Sequence, residues 1–191
     1  FGVNLMLMDP DVKKKIEIVK EHSVDAVTTG AGNPSKYIDG LKEEGIKVFP
    51  VVPSSALAKR VERYGADGVI AEGTEAGGHV GEVTTLVLIP TVVKAVDIPV
   101  IAAGGVAESR GMAASLALGA EGVQIGTRFA SSKESQMHQN YKEAIFNANE
   151  RSTTVTGKSI RAPVRAIANK MTKKFSRLEE EGKSRDELEE V

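Results

Sequence analysis

The sequence predicts an α/β fold, a (β/α)8 or TIM barrel of which about six βα units lie within these 191 residues. Three observations lead there. Short, β-branched, nearly all-apolar runs recur along the chain, as expected of parallel strands covered on both faces. Helical patterns with stop signals separate them, which makes the connections crossovers and the strands parallel. Glycine and polar residues gather after the ends of several strands rather than after one switch-point strand, and a ring of such loops on one face belongs to a barrel.

In order, the strand-like runs are Val3 to Met8, Ala26 to Thr29, Lys47 to Val52, Gly68 to Ala71, Pro99 to Ala103 and Gly122 to Ile125. Each has the length of a buried strand. Between them, Ser35 to Glu44 stops at Gly45, Ala56 to Tyr64 is capped by Ser54 or Ser55 and stops at Gly65, and Glu108 to Leu118 stops at Gly119. From Arg151 the pattern loosens. Ser152 to Arg161 reads as a polar loop, Pro163 to Met171 as a short helix, and Ser176 to Glu190 as a solvated charge run at helical spacing. The expected organisation is a barrel portion over residues 1–150 and a partly helical, charged extension over 151–191 that faces solvent or a partner.

The composition, 41% apolar and 27% charged, is that of one globular domain. With 25 Lys plus Arg against 26 Asp plus Glu the net charge is -1, so no global basic field exists to hold nucleic acid or an anionic membrane. The lack of cysteine excludes a disulfide scaffold, a thiolate metal site and a cysteine nucleophile, and it suits a reducing, cytoplasmic setting. Three histidines without metal-ligand spacing imply no metal centre. The most apolar stretch, Leu86 to Ala103, is broken by Pro90, Lys94, Asp97 and Pro99, well short of the roughly 20 residues of a bilayer span. The start, Phe1-Gly2-Val3-Asn4, has no initiator methionine and no signal-peptide pattern, and reads as a point inside a longer protein.

Chemistry concentrates in Glu72-Gly73-Thr74-Glu75-Ala76-Gly77-Gly78-His79-Val80-Gly81, directly after a strand. Glycines around one histidine let the backbone pass close to a flat ligand while an imidazole is aimed at it. A loop histidine held by hydrogen bonds, with glycines serving only the turn, is the plainer reading; the strand-end position favours a reactive one. Two later strands end in Gly104-Gly105 and in Gly126-Thr127-Arg128. Adjacent backbone N–H groups at such positions bind phosphate, and late barrel strands carry that group. Tight packing at the barrel rim would use the same residues. Asn4, Thr28, Thr29 and Asn33 are polar groups at strand ends, equally suited to capping and to ligand contact. His22 and His138, the latter in a polar helix after Ser132, are surface residues on this reading.

As a set, Phe1 to Asn4, Val27 to Pro34, Val51 to Ser54, Glu72 to Gly81, Ala102 to Gly105 and Gly126 to Phe129 resemble the flavin-dependent enoyl-[acyl-carrier-protein] reductases of the nitronate monooxygenase (2-nitropropane dioxygenase) superfamily. The likeness runs to about Lys174 in order and spacing. Val51 to Ser54 and the Glu72 loop are closer to the reductases than to the monooxygenases, which often carry Lys near Val51 and Asp at the place of Glu72. The resemblance implies FMN, with its phosphate on Gly104, Gly105, Gly126 and Thr127, and with ribityl and ring contacts from Asn4, Glu72, Gly77 and Gly78. It also implies that FMN carries hydride from NADH or NADPH to the β-carbon of a trans-2-enoyl thioester, on acyl carrier protein or coenzyme A, in fatty-acid biosynthesis. His79 would orient or protonate the developing enolate. A homodimer is compatible with the likeness. Family members begin with two further βα units and end with a Gly-Ser-containing segment over the site, so the first strand here is expected to match the family's third.

Three readings compete. In nitronate monooxygenase chemistry, His79 would deprotonate a nitroalkane and oxygen would reoxidise the flavin. A flavin-free phosphate-binding barrel would use the same glycine loops. An inactive fragment would leave its barrel unclosed. IMP dehydrogenase chemistry, which shares the glycine loops, needs a cysteine and is excluded.

Overall fold

The computed structural model describes residues 1–191. In chain order, the first half contains β1 (Gly2–Met6), α1 (Val12–Glu21), β2 (Ala26–Gly30), α2 (Ser35–Lys42), β3 (Lys47–Val52), α3 (Ser55–Arg63), β4 (Val69–Glu72), β5 (Gly78–His79) and α4 (Thr85–Val93). The remainder contains β6 (Val100–Ala103), α5 (Ser109–Ala117), β7 (Gly122–Gln124), α6 (Thr127–Ala130), α7 (Gln139–Phe146), β8 (Thr153–Thr156), β9 (Val164–Ile167), α8 (Lys170–Glu180) and α9 (Arg185–Glu189). All six expected strands form, within two residues of their expected ends.

Six parallel strands pair in the order β1-β2-β3-β4-β6-β7. Each central strand lies beside its neighbours in the βα series. Such an order has no point at which the winding reverses, and the sheet is the curled wall of a partial βα barrel. The strand period of two assigns the faces. Leu5, Val27, Val48, Val52, Val69, Ala71 and Val100 point outward and join α-helical residues in one apolar cluster of 19 buried residues. Helix spacing supplies the other side: Val12, Ile16 and Val19 on α1, Ile38 and Leu41 on α2, Ala58 and Val61 on α3. Each large aliphatic side chain buried there stabilises the fold by about 1.5–3 kcal/mol. Inward, the same strands carry Asn4, Met6, Thr28, Val51, Glu72 and Gln124, and that face belongs to the site.

The N-terminal ends of the strands are held by polar contacts. The Asp67 carboxylate accepts the Val48 N–H at 3.0 Å and lies 3.1 Å from the Lys47 ammonium and 3.6 Å from that of Lys42. Partial burial raises its pKa, but the Val48 N–H and the two lysines outweigh that and hold it below the ordinary carboxylate value.

After β7 the structure departs from the expectations. Pro163 to Met171 is not a helix: β8 and β9 form an antiparallel hairpin, and β9 pairs in turn with β5 through Gly78↔Arg165 and His79↔Val164. Thr153-Thr154-Val155-Thr156 and Val164 to Ile167 are rich in β-branched residues and flank a connection that begins at Gly157 and ends at Pro163, a strand signal that polarity obscures. Glu179 of α8 fastens the hairpin turn by accepting the Gly157 and Ser159 N–H groups at 2.9 and 3.0 Å. The charge run splits at Gly182 into α8 and α9, each opened by a capping box, Asn169 with Thr172 and Ser184 with Glu187. Leu188 is buried, so this extension is not merely a solvated surface. His138 precedes α7 as its N-cap rather than lying within a helix. Both His22 and His138 are exposed, as expected.

Replacing Asp67 with Ala leaves the Val48 N–H without its acceptor, an expected loss of about 1–3 kcal/mol. Because the folded-state pKa is depressed, this contribution is present above the ordinary value of 3.8 and is lost as pH falls through the lower folded value. Thermal unfolding of both proteins across the acid range is expected to show the difference at neutral pH and its disappearance in acid.

Candidate functional site

Register brings the functional residues into one row. Glu72 lies opposite Ala103, and Ala103 opposite Gln124, so the three stand side by side at the C-terminal ends of β4, β6 and β7. At the other side of the sheet Asn4 pairs with Thr28, whose hydroxyl donates to the Asn4 amide oxygen at 2.9 Å. Above this row lie two adjoining cavities. One, of about 640 Å3, is bordered by Asn4, Met6, Thr28, Val51, His79 and Gly81. The other, of about 610 Å3, is bordered by Gly104, Gly105, Thr127, Tyr141, Thr153 and Arg165. Glu72, Gly77, Gly78, Gln124 and Gly126 border both and make them one groove. Every sequence-predicted site residue, Asn4, Glu72, Gly77, Gly78, His79, Gly104, Gly105, Gly126 and Thr127, borders this groove.

The glycines divide by physical role. At Gly126 and Gly78 a Cβ would meet nothing within 4 Å, and at Gly77 only the Thr127 hydroxyl at 3.8 Å. No packing within the chain demands glycine at Gly126 or Gly77, and a flat ligand lying against the backbone would. Gly73 and Gly104 differ. A Cβ on Gly73 would fall 2.1 Å from the Thr85 hydroxyl, and one on Gly104, at φ +96°, would fall 2.8 Å from the Gly73 carbonyl oxygen. The Thr85 hydroxyl lies 2.9 Å from both a Glu75 carboxylate oxygen and the Gly104 carbonyl, so the β4 loop, α4 and the β6 loop are locked together. The backbone N–H groups of Gly105, Gly126 and Thr127 have no backbone partner within the chain, and all three residues border the second cavity.

His79 is exposed at the mouth of the first cavity on β5, and the ladder to β9 fixes its backbone. Glu72 sits deeper, where burial pushes its carboxyl above the ordinary value. Of the other polar strand-end residues, Thr28 borders the groove, Asn33 caps the Ser35 N–H at 3.1 Å, and Thr29 points the other way into the helix layer. Sequence reasoning missed Gln124, Tyr141, Thr153 and Arg165. Gln124 was legible from its position two residues before Gly126; Thr153 and Arg165 depended on the hairpin.

The groove fits FMN by its donor set: unpaired N–H groups and open-faced glycines along one cavity, apolar and amide-bearing walls along the other, each cavity within the volume range of ligand sites. The class defined by fold and site is thus a partial βα barrel with a glycine-lined groove at its C-terminal rim. The nitronate monooxygenase family profile matches residues 2–188, and the chain belongs to that family. Its structure is similar to that of FabK from Thermotoga maritima, with 53% sequence identity and a TM-score of 0.96 over 100% of this chain and 60% of the other. A probable nitronate monooxygenase of Staphylococcus saprophyticus is 40% identical over 181 residues, 88% of this chain and 51% of that protein. The (3aS,4S,5R,7aS)-5-hydroxy-7a-methyl-1-oxo-octahydro-1H-indene-4-carboxyl-CoA dehydrogenase of Rhodococcus jostii is 40% identical over 167 residues, 87% and 47% respectively. The chain spans about half the length of the curated relatives it matches. No helix is long and apolar enough to cross a membrane.

Two tests follow from this geometry. Gly104→Ala is expected to destabilise the flavin-free protein by more than about 1 kcal/mol. Gly126→Ala, at a position open to the groove, should stay within about 0.5 kcal/mol of the parent yet weaken ligand binding. Melting curves and flavin titrations of the two variants measure both. Glu72 has a raised pKa, so between the ordinary and raised values the unfolded chain has lost a proton that the folded chain keeps, and stability falls as pH rises through that window. Glu72→Gln should therefore raise the melting temperature near neutral pH and lose the advantage below the ordinary value of 4.5. An equal difference at both pH values would contradict this assignment.

Proposed function

We propose that this chain is part of an FMN-dependent oxidoreductase that uses NADH or NADPH to reduce the 2,3 double bond of a trans-2-enoyl thioester on acyl carrier protein or coenzyme A. One observation carries the reading: His79 borders a groove that is also lined by glycines and by residues whose backbone N–H groups are unpaired. Bound FMN supplies hydride transfer between the nicotinamide and the enoyl β-carbon. Gly105, Gly126 and Thr127 would hold its phosphate, and Gly77, Gly78, Asn4 and Glu72 its ribityl chain and ring. His79, which borders the first cavity, would orient the thioester carbonyl or protonate the developing enolate. Burial raises the pKa of the Glu72 carboxyl, which lowers the cost of protonating it where it borders the groove.

The FabK likeness at 53% identity supports the reductase over the monooxygenase relatives at 40%. The Rhodococcus relative, named for a carboxyl-CoA substrate, supports a thioester. The decisive measurement on the intact protein pairs NADH-dependent loss of a trans-2-enoyl thioester with oxygen uptake on a nitroalkane. Turnover of the first and not the second is expected; the reverse would establish the monooxygenase reading. Denaturation should release FMN and not FAD.

His79→Ala is expected to keep flavin bound while slowing enoyl reduction by about 10²-fold or more, the scale of a positioned acid–base group. The NADH half-reaction, which needs no proton from His79, should suffer less. Stopped-flow measurement of both half-reactions checks this, and equal impairment would mark His79 as structural.

A further inference from the structure

Arg165 stands on β9, a strand whose pairing with β5 joins the C-terminal hairpin to the histidine-bearing loop. Its Nε donates to the Thr74 carbonyl at 3.2 Å and its Nη1 to the Thr153 hydroxyl at 2.9 Å. Both acceptors are neutral. The side chain is half-buried, and none of the chain's ion pairs includes it. A guanidinium carries five N–H donors, so three remain after these contacts. A half-buried cation without a counter-ion carries a desolvation cost, and an anion held beside it offsets part of that cost.

The cavity that Arg165 borders supplies the complementary feature, the partnerless N–H groups of Gly105, Gly126 and Thr127. Three other charged side chains border this cavity. Glu72 is the buried carboxyl already described, and Glu75 is engaged by the Thr85 N–H and hydroxyl, each at 2.9 Å. Arg128 is exposed. Arg165 is the cation that is half-buried and pinned by two hydrogen bonds, and a preorganised cation binds at lower entropic cost than a free one.

We propose that Arg165 is the counter-cation of the FMN phosphate, and that through its hold on Thr74 and the β5–β9 ladder it positions the His79 segment against the bound cofactor. This rests on the flavin reading above. The contact adds charge to a cradle otherwise made of backbone dipoles, and it places one side chain between the phosphate end of the groove and the segment that carries the histidine.

The test uses the intact, flavin-free protein titrated with FMN and with riboflavin, which differ by the phosphate alone. Arg165→Gln is expected to weaken FMN by roughly 10- to 100-fold, the range of hydrogen bonds to charged groups, while leaving riboflavin within about 2-fold. Arg165→Lys, keeping the charge, should restore most of the FMN affinity, and raising salt should weaken FMN in the parent more than in Arg165→Gln. Arg128→Gln should have a smaller effect. Equal loss of FMN and riboflavin, unchanged FMN affinity in Arg165→Gln, or a preference lost only in Arg128→Gln would each overturn the inference alone. A parent protein that binds neither flavin would overturn the flavin reading and this inference with it.

Discussion

The close approach of Gly73, Thr85 and Gly104 constrains everything at the rim of this half-barrel. There is no room for a side chain at either glycine, because Thr85 fills the space at Gly73 and the Gly73 backbone with the Thr85 hydroxyl fills it at Gly104. The same hydroxyl lies against the Glu75 carboxylate and the Gly104 carbonyl, so the loop after β4, the start of α4 and the loop after β6 share one junction. From it the β4 loop runs to Gly77, Gly78 and His79, and the β6 loop runs to Gly105. The histidine-bearing loop and the Gly105 N–H thus extend from one junction whose packing needs no ligand, a preorganisation that favours binding and orientation.

The curled sheet supplies a second constraint. Its strands alternate between a helix-facing set of aliphatic residues and an inward set that grows polar toward the C-terminal ends. Hydrophobic burial settles the first set. It leaves the second free to vary, and Asn4, Glu72 and Gln124 occupy it. Stability is concentrated in the layer between sheet and helices, with Asp67 and its lysines at the opposite end of the strands from the groove. This is the usual division of labour in βα barrels, with chemistry at one end and structural polar contacts at the other.

The hairpin β8–β9 is the element that makes the groove composite. By adding β9 to the short β5 it turns a glycine-rich loop into a three-stranded flap, and it brings Arg165 and Thr153 to the cavity from far along the chain. A loop with this much glycine has high conformational entropy when free, and ladder hydrogen bonds limit it.

The six strands, their parallel direction and the glycine loops that follow them were legible in the sequence, because local physics governs them: β-branched runs, stop glycines and strand-end polar residues act over a few positions. Family membership was legible for the same reason, as the motifs keep their order and spacing. Only the tertiary structure decided which glycines serve packing and which face open space, since Gly73, Gly104 and Gly126 look alike in sequence and differ only in what surrounds the absent Cβ. It also decided that residues 153–167 form strands over the site. That outcome depends on pairing between Gly78 and Arg165, 87 positions apart, and edge-strand pairing at such separation leaves no periodic trace in the intervening chain.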